Sequence, residues 1–222
     1  MGWLNNAATM HGPQALAHSL FGIHRFMHRS PTPTRDRIIK AASQLFYSEG
    51  IGRVSVDAVA ERAGVTKRTF YYHFTSKDDL VAAYLEGRDQ PNLELMAKWF
   101  REAEGHVIDK VAAIFTHLAR AARHPKWKGC AFLRTVAELA SMPGHPAVKI
   151  GARHKRDFEM WLMQEFRGAR ICQPSELARH VAILLDGAFA ASLTHRDADY
   201  IEAAGRAARV LVAAAAGLVE VG

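Results

Sequence analysis

The chain has 222 residues, 49% of them apolar, and carries 29 Lys plus Arg against 22 Asp plus Glu, a formal charge of +7. That length is ample for a sizeable core in one domain or two small ones, and the basic balance suits an anionic partner such as nucleic acid. Cys130 and Cys172 are far apart and lack a CxxC companion, which argues against a disulfide framework or a zinc motif and fits a reducing cytoplasm.

The first stretch, residues 1–33, has no acidic residue, four histidines, and a Ser-Pro-Thr-Pro end that would not continue a helix. Leu16, Leu20, Ile23 and Met27 recur at helical spacing, so a weak amphipathic helix is expected within a basic, flexible arm. Met27 is an alternative start. No secretory signal is read, and His24 with His28 are expected to be solvated rather than to hold a metal.

Thr34 to Ser48 reads as the first strong helix, capped by Thr34, with Ile38, Ile39, Ala42, Leu45 and Phe46 on one face. Ser55 with Asp57 opens the next helix, in which Val56, Val59, Ala60 and Ala63 share a face. Gly64 sits where a helix ends in the left-handed conformation, and Phe70 and Phe74 resume an apolar face. This is a helix-turn-helix pattern. From Thr66 to Lys77 there is no acidic residue, a surface suited to a phosphate-lined major groove.

Ser76, followed by Asp78 and Asp79, starts another helix, expected to run to about Glu86, with a separate one from about Asn92 to Glu104. Val107 to Arg123, Cys130 to Ser141 and Ala147 to Arg167 follow, separated by breaks rich in proline and glycine. The last two helices are Ser175 to about Thr194 and Asp199 to about Val219. Both are apolar on more than one face, which points to burial against a partner subunit. The longest uncharged apolar run, Val210 to Val219, is too short for a bilayer, which takes ~20 residues, so no membrane segment is expected. No strand pattern appears, and the expected fold is all-α. Gly-rich phosphate loops, paired metal histidines and a nucleophile elbow are missing, so no enzyme, metal site or cofactor is expected.

The Arg35 to Phe46 helix, the run Ser55 to Val65, Thr69-Phe70-Tyr71-Tyr72-His73-Phe74 and Lys77-Asp78-Asp79-Leu80 together resemble the DNA-binding domain of the TetR family of bacterial transcriptional regulators. Gly129-Cys130-Ala131-Phe132 with Glu138-Leu139 is similar to one branch of that family. The resemblance implies an amino-terminal helix-turn-helix DNA-binding domain over residues 34–80, and a helical ligand-binding and dimerisation domain over 81–222. It implies a homodimer, joined through the two carboxy-terminal helices at about 175–194 and 199–219, on a palindromic double-stranded operator. A small-molecule inducer or co-repressor is the expected effector.

By the same resemblance Lys67, Arg68 and Tyr72 face base edges, while Thr69, Tyr71, His73 and Lys77 contact phosphate, with Ser55 at the start of the preceding helix and Thr66 outward on the second helix beside them. The chemistry agrees, since long basic side chains reach guanine acceptors whereas hydroxyls and capped helix ends suit phosphate oxygens. A ligand pocket is expected among Trp99, Phe100, Phe115, His117, Phe132, Arg134, Glu138, Phe158 and Trp161. For aromatic stripes, plain core packing is the competing reading. Cys130 reads either as a reactive thiol near basic residues or as a small buried hydrophobe. The expected function is a cytoplasmic repressor released from its operator by a small molecule. An activator or dual regulator, or a helical small-molecule-binding or scaffold protein, stands as the alternative.

Overall fold

The computed structural model describes residues 33–218, all helix and connecting turn, without a strand among the described residues. The amino-terminal arm, with its expected amphipathic helix, lies outside them apart from Pro33.

Three short helices come first: α1 (Thr34–Glu49), α2 (Val56–Ala63) and α3 (Lys67–His73). Their borders follow from side chains that satisfy free backbone donors. Ser55 accepts from the amide of Ala58, and Thr66 from that of Thr69. Thr34 does not cap α1 as expected. Pro33 takes the cap position and makes no side-chain bond, because its ring carries no polar atom; its carbonyl accepts from the amides of Asp36 and Arg37. Between α2 and α3, Gly64 adopts φ 64°, ψ 43°, a conformation that costs a residue with a Cβ ~1–2 kcal/mol. The Arg37 guanidinium locks this corner to α1 by donating to the carbonyls of Ala63 at 2.8 Å and Gly64 at 3.0 Å. Ile38, Phe46, Val59 and Phe70 fill the angle between the three helices, each at most 2% exposed.

The next helix, α4 (Lys77–Glu102), is continuous, and the expected break between Glu86 and Asn92 does not occur. Pro91 lies inside it. The carbonyl of Gly87, which loses its amide partner there, sits on an exposed stretch where water can replace the bond. Each half of α4 is also held by a different core. Leu80, Val81, Tyr84 and Leu85 pack with α1–α3, whereas Met96 and Phe100 pack with the helices that follow. A domain boundary at 80/81 therefore falls within one rod rather than in a linker.

Those helices are α5 (Val107–Ala122), α6 (Ala131–Glu138), α7 (Pro146–Gly168), α8 (Pro174–His195) and α9 (Asp199–Ala215). α9 packs on both α5 and α8, α8 on α7, and α7 on both α4 and α6. Gly205 permits the α5–α9 approach, since a Cβ there would lie 2.7 Å from Phe115 Cβ. α8 is long and apolar enough by length and composition to cross a membrane, with a mean hydropathy of 1.3. Its buried side, Leu177, Val181, Leu185 and Phe189, belongs to the second core with α5, α7 and α9.

Candidate nucleic-acid interface and internal cavity

α3 buries Phe70 completely and turns its remaining side chains outward. Lys67, Arg68, Tyr71 and Tyr72 are exposed, Tyr72 to 85%, and Thr69 and His73 are half-buried at the rim. Tyr72 meets the His73 ring edge-on at 5.1 Å and packs on no core residue. Tyr71 stands edge-on to Phe70 at 5.3 Å while remaining 49% exposed, so it serves the core with one edge and solvent with the other. Thr66 and Thr69 share a hydroxyl hydrogen bond of 2.9 Å beside the α3 amino terminus. Ser55 and Thr66 each use an oxygen lone pair to cap a helix, which leaves the Ser55 hydroxyl hydrogen to donate elsewhere, while one hydroxyl hydrogen of the Thr66–Thr69 pair is taken by their mutual bond.

Lys67 differs from its neighbours. Its ammonium lies 3.0 Å from Asp57 in α2, and that hydrogen bond raises its pKa above the usual lysine value. Both partners are more than half exposed, so the pair is readily exchanged for a phosphate or a base. Lys77, half-buried at the first position of α4, follows the Ser76 cap, whose hydroxyl accepts from the Asp79 amide. Arg35 lies over the Phe74 ring at 5.1 Å, which places another cation beside this surface. The spacing of apolar residues did not single it out.

The nine residues expected to line a pocket do not share one cavity, although Trp161 meets Phe100 at 5.4 Å and Phe158 at 5.8 Å in the second core. Phe100, Phe115, Phe132 and Phe158 are buried core. Trp99 stacks on His117 at 5.1 Å across α4 and α5, and burial lowers the His117 pKa. Trp161 donates to Glu165 within α7. Arg134 and Glu138 lie on α6 and face the first three helices. Arg134 donates to the Tyr47 carbonyl at 2.8 Å, and Glu138 accepts from the Gly52 amide at 3.0 Å.

A partly open cavity of about 170 Å³ does exist between the helices, and of those nine only Phe158 lines it. Its walls come from five helices: Tyr47 of α1; Arg88, Asn92 and Met96 of α4; His154 and Lys155, with Phe158, of α7; Leu185 and Phe189 of α8; and Ala131 at the start of α6, preceded by Trp127, Gly129 and Cys130. His154 Nδ1 hydrogen-bonds Asp89 at 2.7 Å, its ring stacks on Phe132 at 3.7 Å, and burial lowers its pKa despite the opposing pull of Asp89. The Lys155 ammonium is paired with Asp186 and lies 3.9 Å from the Cys130 sulfur. A larger cleft of about 560 Å³ opens at the surface between the α5–α6 and α8–α9 connections. Its cation Arg123 is already held by Asp199 and Glu202. Among the described residues no group of three or more His, Cys, Asp or Glu is placed to hold a metal ion.

A family model described as bacterial regulatory proteins, tetR family, matches residues 38–84, from α1 into the first turns of α4. The transcriptional regulator SrpR of Pseudomonas putida is 42% identical over 62 residues, 28% of this chain and 29% of SrpR. The transcriptional regulator TtgR, also of Pseudomonas putida, is 45% identical over 53 residues, 24% of this chain and 25% of TtgR. These matches span less than a third of either relative. Among solved structures, a TetR-family transcriptional regulator from Streptomyces coelicolor aligns with a TM-score of 0.72 at 29% identity, covering 82% of this chain and 96% of that one. A regulatory protein TetR from Rhodobacter sphaeroides aligns with a TM-score of 0.70 over 81% of this chain and 99% of its own, and at 20% identity it speaks for the fold alone.

Proposed function

Because the chain belongs to the tetR family of bacterial regulatory proteins, we propose that it is a cytoplasmic, homodimeric transcriptional repressor that leaves a palindromic operator when a small molecule occupies its carboxy-terminal domain. The observation that carries this reading is the outward face of α3. Arg68 and Tyr72 project from a seven-residue helix whose inner face is pinned by a fully buried Phe70. A rigid helix with free polar side chains at one corner of a molecule is what major-groove reading needs. Lys67, Arg68 and Tyr72 are assigned to base edges. Ser55, Thr66, Thr69, Tyr71, His73 and Lys77 are assigned to the flanking phosphates.

Coupling follows from α6. Its amino-terminal end borders the cavity, and its last turns hold the Tyr47 carbonyl and the Gly52 amide. A ligand that displaces the start of α6 therefore displaces the α1–α2 connection with it. A differential affinity of ~1–3 kcal/mol between the two arrangements makes a useful switch. The similar proteins are named transcriptional regulators, and no catalytic role is assigned to this chain.

The test is selection of bound duplexes from a random pool, then fluorescence anisotropy on the enriched site at several salt concentrations. A two-fold-symmetric site bound at least ~10³ more tightly than random DNA is the expected result. Sequence-blind binding that collapses with salt would reduce the interface to electrostatics and overturn the reading.

A further inference from the structure

The cavity has a chemical bias that its location alone does not convey. None of its lining residues is a carboxylate, and two of its cations differ in their pairing. Lys155 is neutralised by Asp186. Arg88 has no such counter-charge, since Asp89, the next residue, is taken by His154 at 2.7 Å and Arg153 at 3.3 Å. The Arg88 guanidinium instead rests on the rings of Tyr47 and Tyr84, 5.1 Å from each, and its Nε is buried with no hydrogen-bond acceptor. A permanent cation at a cavity wall without a counter-charge is costly to keep out of water, and an anion in the cavity supplies the missing partner to the guanidinium. Asn92, one turn further along α4, adds an amide on the same wall. The lining also has an apolar part: Met96, Phe158 and Leu185, with Trp127 stacked near Phe189 at a centroid distance of 6.3 Å.

We propose that the cavity binds a compact organic monoanion, its carboxylate on Arg88 and its flat apolar body between Trp127, Met96 and Phe158. The inference rests on reading the carboxy-terminal helices as a ligand-binding domain, and it specifies the class of ligand. An inorganic anion would satisfy Arg88 but leave the apolar walls bare, and a neutral aromatic would do the reverse. About 170 Å³ is close to the ~150 Å³ cavity known to take benzene, so a single substituted ring is the right scale. Because Arg88 also lies on Tyr47 of α1, a carboxylate that draws the guanidinium inward loosens it from the DNA-binding helices.

The probes are benzoate, its neutral isostere benzamide, and inorganic phosphate, titrated into the full chain by calorimetry and by tryptophan fluorescence. Benzoate is expected to bind at least about tenfold more tightly than benzamide or phosphate, the ratio set by one charged hydrogen bond. In Arg88→Gln that preference should collapse to within about threefold, and Arg88→Lys should restore part of it. Equal binding of benzoate and benzamide by the unaltered chain, or no benzoate binding at all, overturns the proposal even if Arg88→Gln proves too unstable to study. Operator anisotropy with and without benzoate separates the two readings. Charge-selective binding that leaves operator affinity unchanged supports the site and counts against the switch, whereas lost charge selectivity removes the site whatever the DNA does.

Discussion

Arg68 and Lys67 are neighbours on one helix, yet they meet DNA from different starting points. Arg68 forms no ion pair among the described residues, so all of its interaction with a base is gained on binding. Lys67 must first exchange Asp57 for the operator. Arg68→Ala is expected to weaken operator binding by ~1–3 kcal/mol and to relax sequence preference at one base pair. Lys77→Ala should weaken all sequences alike and lower the salt slope by about one. Anisotropy on cognate and scrambled duplexes across a salt series checks both; equal losses on the two duplexes for Arg68→Ala would remove it from the base-reading set. Inside the protein, His154 makes a different prediction. Burial depresses its pKa, so the unfolded chain takes up a proton more readily than the folded one as pH falls. Stability is then fully present above the unfolded value of ~6.5 and is lost as pH drops from there through the folded value. Thermal melts at pH 8 and pH 5.5 should differ more in the unaltered chain than in His154→Gln. A difference of the same size in both would assign the acid sensitivity to other groups.

At the level of elements, α6 is short, only eight residues, yet it touches both the cavity and the DNA-binding helices. Gly50, which caps α1 at φ 91°, comes so close to Glu138 that a Cβ would lie 3.2 Å from Oε1. Glu138→Ala is expected to cost ~1 kcal/mol of stability, the usual value of one lost hydrogen bond, while leaving operator affinity nearly unchanged without ligand. Its main effect should be on coupling: the ligand still binds, but the fall in operator affinity it causes shrinks severalfold. An unchanged ligand response in this variant would place the transmission in α4 instead. Which elements were legible in sequence follows the same logic of local against distant causes. Ser55 and Ser76 announce their helices because a cap acts within three residues, and both caps form, whereas Thr66, read as an outward position of α3, turns out to be its cap. The expected break between Glu86 and Asn92 does not form, because the local penalty of Pro91 is outweighed by two cores that grip α4 on either side of it. The cavity was least legible of all. Tyr47, Arg88, Lys155 and Phe189 share it from four different helices, and no periodicity within one helix reports which helices will face each other. Arg134 and Glu138 did stand out as polar groups on an apolar helix, but their partners lie 87 and 86 residues upstream.

For the whole molecule, the decisive feature is the surface that α8 and α9 leave uncovered. Ile183 on α8 is 62% exposed, and Val210 on α9 is 63% exposed, with Leu211 and Leu218 also open to solvent. Gly187, one turn after Ile183, has nothing within 4 Å of where a Cβ would stand, and Ala203 and Ala207 continue a small-residue track on α9. Small residues between large apolar ones let helix axes approach to the short end of the ~8–10 Å range, which suits a second copy of the same pair of helices. A symmetric pairing through this face is what would set two α3 helices ~34 Å apart, one turn of duplex, so that each reads a half-site. Ile183→Glu with Val210→Glu should therefore yield a folded monomer, since both side chains already sit in solvent in the single chain and neither belongs to a core. Light scattering measures the mass, and circular dichroism confirms retained helix. Operator affinity should fall by ~10²–10⁴, the gain that linking two half-sites confers, while weak binding to a single half-site survives. A double variant that stays dimeric would move the interface elsewhere on the molecule. A monomer that still binds the full operator as tightly as before would mean that the two half-sites are read without the spacing that this face imposes.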